Sequence, residues 1–135
     1  MRKPLIAMGV ALMATIGFAA PAQAAVTMPF SMAYGNSTIA GTIHFGDGYT
    51  ASVNAMVHAA SDARRGYAYG VNGFEESNRP YSWWAWAGGQ DEPLAGSMTI
   101  PWEGGVRKVY ITMEDGNNKP VARVVCTRSG CTRVI

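Results

Sequence analysis

Between Val26 and His58 the chain alternates apolar with small or polar side chains at a period of two, the pattern of half-buried β-strands. Val26, Met28, Phe30, Met32 and Tyr34 fall on one side, with Thr27, Pro29, Ser31 and Ala33 on the other. Ile39, Gly41, Ile43 and Phe45 then oppose Thr38, Ala40, Thr42 and His44. In a third segment Tyr49, Ala51, Val53, Ala55 and Val57 oppose Thr50, Ser52, Asn54, Met56 and His58. A two-residue loop at Gly35-Asn36 pairs Met32 with Ile39, Phe30 with Gly41 and Met28 with Ile43. A three-residue loop at Gly46-Asp47-Gly48 pairs Phe45 with Tyr49, Ile43 with Ala51 and Gly41 with Val53. Both registers bring the apolar sides together, and a slip of one residue would send them to opposite faces.

Shorter alternating runs follow: Tyr67, Tyr69 and Val71; Met98, Ile100 and Trp102, where Pro101 points to a sheet edge; and Val109, Ile111 and Met113. Val121 to Thr127 gives another strand, returned by a hairpin to Arg133-Val134-Ile135. Loops are expected at Glu75 to Pro80, Gly88 to Pro93 and Asp115 to Asn118, and the only helical candidate is a turn or two around Ala59 to Arg65. About eight short strands in one domain predict an all-β fold, a single antiparallel β-sandwich, immunoglobulin-like or similar.

The start of the chain reads as a secretory signal over residues 1–24. Arg2 and Lys3 precede an uncharged apolar run from Leu5 to Ala20, and Ala22-Gln23-Ala24 places small residues for cleavage before Ala25. The run of about 16 residues is short of the roughly 20 that span a bilayer, so no membrane span is expected after cleavage. The β-sandwich domain is then residues 25–135. Its nine basic and nine acidic residues cancel, which argues against a nucleic-acid partner. The charge is uneven, negative up to Gly105 and positive from Val106, as neighbouring strands that offset each other would be. Two cysteines in an exported chain imply one disulfide. A two-residue turn at Arg128-Ser129 sets Thr127 opposite Gly130 and Cys126 opposite Cys131 in a non-hydrogen-bonded pair, close enough to bridge. So short a loop contributes about 2 kcal/mol.

The segment Tyr81-Ser82-Trp83-Trp84-Ala85-Trp86 is the most unusual. As a regular strand it points Tyr81 and Trp83 one way and Trp84 and Trp86 the other. One side can fill the core; the other then exposes two indoles about 7 Å apart, a spacing at which they can stack on successive sugar rings. Gln90, Asp91, Asn78 and Arg79 in flanking loops are candidates for bonding hydroxyls. The competing reading buries the second face under a loop or a second copy of the protein, since tryptophans are highly buried on average.

Other constellations are weaker. His44 and His58 lie some 26 Å apart in the predicted register, too far to share a metal. Glu75-Glu76, Asp91-Glu92 and Glu114-Asp115 are adjacent acids of the kind usually solvated in turns, whereas a hydrolase needs two converging on a groove. Glu114 to Asn118 is rich in oxygen ligands but departs from the calcium-loop pattern. Asn36-Ser37-Thr38 matches a glycosylation sequon inside a tight turn, where turn chemistry explains it. Arg64-Arg65 in an exposed loop, or the Gly88 to Gly96 loop, would serve a proteinase inhibitor. No catalytic or cofactor motif stands out, and no cofactor is expected.

The Ala-x-Ala signal, the run from Ile39 to Tyr49 and Arg65-Gly66-Tyr67-Ala68-Tyr69 resemble a loose group of small exported proteins of Gram-positive bacteria. The resemblance is concentrated in the first half of the domain. It implies a β-sandwich of bacterial origin and, the group having no assigned activity, no function. The expectation is a secreted, extracellular, non-enzymatic protein binding a glycan or cell-envelope component at Trp84 and Trp86. A proteinase inhibitor and a small extracellular hydrolase are the alternatives.

Overall fold

A computed structural model describes residues 24–46 and 48–135. Asp47 and the segment expected to be a secretory signal, apart from its last residue, lie outside the described residues. The described chain is all-β, without a helix. Its strands are β1 (Val26–Tyr34), β2 (Ser37–Phe45), β3 (Thr50–Ala59), β4 (Arg65–Asn72), β5 (Glu75–Glu76), β6 (Gln90–Thr99), β7 (Lys108–Glu114), β8 (Pro120–Thr127) and β9 (Gly130–Arg133). They form two antiparallel sheets, one in the order β1-β2-β3-β6 and one in the order β5-β4-β7-β8-β9. Phe30, Met32, Ile39, Ile43, Phe45, Val57, Leu94 and Met98 of the first sheet pack on Ala68, Val109, Ile111, Met113 and Val124 of the second.

The β1–β2 register is the one alternation predicts, with Met32 opposite Ile39 and Phe30 opposite Gly41. The β2–β3 register is corrected by two residues: Phe45 pairs with Ala51, Ile43 with Val53 and Gly41 with Ala55. Gly46 N donates to Thr50 O, so the connection spans residues 47–49 and not the expected 46–48. A two-residue shift leaves every side chain on its face, so burial could not distinguish the two pairings. His44 now faces Ser52, six residues from His58, which keeps the two imidazoles about 20 Å apart. Each has its own partner, Thr27 Oγ1 at 2.7 Å and Asp91 Oδ1 at 2.6 Å.

Four further expectations are corrected. Residues 59–65 hold no helical turn, only a bend between β3 and β4. Gln90 to Pro93 is not a loop but the start of β6, pairing with Met56, Val57, His58 and Ala59. Glu75 and Glu76, expected in a loop, form the short strand β5, pairing with Asn72 and Val71. The aromatic face of β4 is not its core face. Gly66, Ala68 and Gly70 turn inward, while Tyr67 and Tyr69 turn out. A Cβ on Gly66 would meet Ile39, Val57 and Leu94 at 2.9–3.1 Å, so close approach of the sheets requires glycine there. The C-terminal hairpin forms as read, with Cys126 opposite Cys131, the two disulfide-bonded across β8 and β9.

Candidate functional site

β4 meets β5 only at Val71 and Asn72, which would leave its edge unpaired from Arg64 to Gly70. The chain from Ser77 to Trp86 fills that edge. Ser77 N donates to Gly70 O, Ala68 N to Pro80 O and Ser82 N to Gly66 O, and Arg64 and Ala85 exchange two bonds of 2.8–2.9 Å. The same segment covers β6. The Asn78 amide donates to Ser97 O and accepts from Thr99 N, and Pro80 sits where a side chain on Gly96 would. Two sheet edges on one side of the sandwich are thus closed by one connection, a common way of protecting edges.

This segment is not the regular strand that alternation predicts. Ser82 meets Gly66 and Ala85 meets Arg64, so the aromatic chain spends three residues where β4 spends two. Ser82 Oγ accepts from Gly66 N at 2.9 Å where the ladder is interrupted. One extra residue is a β-bulge, and a bulge re-aims side chains. Ser82 and Ala85 both turn inward and are buried, while all the rings turn away from the core. Trp83, Trp86 and Tyr81 are 80%, 58% and 48% exposed, and Trp84 is half-buried. The expectation that one pair of rings fills the interior is therefore corrected: two small residues take that place.

The bulge also brings Tyr81 and Trp84, which alternation would separate, against one guanidinium. Arg65 Cζ lies 5.0 Å from the Tyr81 ring and 4.6 Å from the Trp84 ring. Trp84 stacks in turn on Trp86 at 6.3 Å. Tyr81 packs on Tyr67 at 5.2 Å, Tyr67 on Tyr69 at 6.1 Å and Tyr69 on Tyr110 at 5.3 Å. Arg79 Cζ lies 4.4 Å from the Tyr69 ring. The result is a continuous band of rings and guanidiniums over the outer face of the five-stranded sheet, each cation–π contact worth about 0.5–2 kcal/mol. Carboxylates hold the cations in place. Glu114 Oε1 accepts from Arg65 Nε and Nη2 at 3.1 and 2.7 Å, and Glu76 accepts from Arg79 at 3.0 Å, a bond that raises the Arg79 pKa. Arg123 donates to Thr112 Oγ1 at 2.8 Å. Burial pushes the Tyr69 phenol above its ordinary pKa.

Where the band reaches the aromatic segment, Arg65, Tyr81, Ser82, Trp83 and Trp84 line an open cavity of about 430 Å³. Of the residues proposed from sequence, Trp84 and Trp86 come together here. Gln90 stands behind them: its Oε1 accepts from Trp86 N at 2.7 Å and fixes the Ala87–Gly89 turn. Asp91 is on the outer face of the other sheet, paired with His58. Asn78 is committed to the β6 backbone, and Arg79 belongs to the tyrosine end of the band. Arg65, Tyr81 and Trp83 complete the cavity and were not singled out as ligand-binding; Arg65 two residues before Tyr67-x-Tyr69 was the available signal.

Neither arginine of Arg64-Arg65 is in an exposed loop, since Arg64 is buried and Arg65 lies within β4. No group of His, Cys, Asp and Glu able to hold a metal occurs among the described residues. Asp115 Oδ1 accepts from Asn117 N and Lys119 N, and these two bonds lower its pKa, so the acidic run is a turn-forming device. No protein-family model matches the chain, and neither does any curated protein or solved structure.

Proposed function

We propose that this is an exported, non-enzymatic binding protein that takes up a glycan or another cell-envelope saccharide along the face formed by Tyr81, Trp83, Trp84 and Trp86. The observation that carries the reading is the stacked, outward-facing pair Trp84–Trp86 beside a cavity with Arg65 in its wall. Sugar rings offer apolar C–H faces to indoles and hydroxyls to a guanidinium, and contiguous exposed apolar surface generally marks an interaction site. Export is supported by the signal-like start and by the disulfide, which persists in oxidising compartments.

The alternatives find less support. A glycosidase needs two carboxyl groups about 5–9.5 Å apart across its cleft, and the residues lining this cavity carry none. An inhibitor needs a projecting loop, whereas most of the 88–96 segment is β6.

Tryptophan fluorescence titrated with soluble bacterial polysaccharides tests the proposal. A saturable change in emission is expected, lost in the W84A/W86A double variant and kept in W102A, whose indole lies beyond the opposite end of β6. No response across a broad panel, or a normal response from the double variant, would sink it.

A further inference from the structure

Arg64 and Arg65 are consecutive in extended backbone and so point to opposite sides. Arg65 enters the aromatic band. Arg64 turns toward the end of the sandwich where β1 finishes, β3 leads into β4, and β7 turns into β8. It is only 5% exposed, and a cation so enclosed normally has a full set of partners. Arg64 does not. Nη1 donates to Ala63 O at 2.9 Å, and Asp62 Oδ2 stands 3.8 Å from Nη2, beyond hydrogen-bond reach. Buried Nε has no partner among the described residues. The nearest ring, Tyr34, has its centroid 5.5 Å from Cζ.

This under-partnered guanidinium lines a second cavity, of about 380 Å³, together with Tyr34, Asp62, Asp115 and Asn117. The volume falls within the range of about 300–1,000 Å³ typical of small-molecule sites. Its charges are mixed: one buried cation and two carboxylates, of which Asp62 is largely exposed. A simple anion would find the guanidinium but also both acids. A simple cation would find the acids but also the guanidinium. Only a ligand carrying both signs a short distance apart satisfies all three groups.

We propose that this cavity binds a small zwitterion of the free α-amino-acid class, its carboxylate on the Arg64 guanidinium and its ammonium facing Asp62 and Asp115. The fork of guanidinium N–H donors matches a carboxylate, and the Asp62–Arg64 ion pair, at 3.8 Å, is too long to use up those donors. The site is separate from the saccharide face: no residue lines both cavities.

The test is an amide-shift NMR titration of the oxidised protein with glycine, L-alanine and L-leucine, and with N-acetyl-L-alanine and L-alaninamide. At least one free amino acid should move the Ala63, Gly116 and Asn117 amides saturably, while the two blocked forms bind about tenfold more weakly, each lacking one charge-assisted contact. D62N, at an exposed position, should weaken the free amino acid but not N-acetyl-L-alanine, and R64K should weaken both. No saturable shift with any of the three free amino acids, or equal binding of free and blocked forms, overturns the proposal. The response to polysaccharide at the tryptophans is independent of either result.

Discussion

On the outside of the four-stranded sheet, residues such as Thr27, Ser31, His44, Asn54, Asp91 and Ser97 are exposed to solvent, and no outward-facing strand residue among those described is buried. On the outside of the five-stranded sheet, Tyr67, Thr112 and Glu114 are buried although they point away from the core. What covers them is a layer of side chains: Arg65 and Arg123 from the strands, and Tyr81 and Arg79 from the 77–86 segment. One face therefore follows the simple rule of apolar inside and polar outside. The other carries a second, thin packed layer made of rings and paired cations, which gives the indoles of the 77–86 segment something rigid to rest on.

The largest effect expected from this contrast is at Tyr67. Tyr67→Ala should cost about 3–5 kcal/mol in urea denaturation, the range for a buried aromatic. Met56→Ala, on the outer face of the other sheet and 46% exposed, should cost about 0.5 kcal/mol or less. Equal costs would dissolve the distinction between the two faces. The two ion pairs sharpen it further. Glu114→Gln frees Arg65 in a site where the Glu114 side chain is 11% exposed, and should cost about 1–3 kcal/mol. Asp91→Asn breaks the solvated His58–Asp91 pair and should cost less than about 1 kcal/mol. The smallest effect is at Asp115, in the turn between β7 and β8. Its carboxyl pKa is depressed in the folded state, so its stabilisation is complete above the unfolded value near 4 and lost as pH falls through the lower folded value. Asp115→Asn should remove that part of the acid destabilisation, seen as a shallower fall in urea midpoint below about pH 4.

The strands were legible because alternation encodes burial directly, and β1, β2 and the Cys126–Cys131 hairpin have the pairing that the residues imply. The β2–β3 offset was not, since a shift of two preserves every face. The aromatic segment shows a different limit. Its residues identify it, but the extra residue between Ser82 and Ala85 cannot be seen without the β4 edge it pairs with, and that one residue decides where four rings point. Arg64-Arg65 reads as loop chemistry from sequence because it follows the polar, turn-like Ser61-Asp62-Ala63. Placing them required knowing that Glu114 lies opposite Arg65 and Ala85 opposite Arg64.

Anchoring the 77–86 segment through Ser82 and Ala85 has an evolutionary consequence. The interior sees only a hydroxyl and a methyl group, so Trp83, Trp84 and Trp86 can be exchanged without disturbing the sandwich beneath. A lineage could retarget such a surface by substituting these three positions alone, much as interchangeable tips are fitted to a fixed handle.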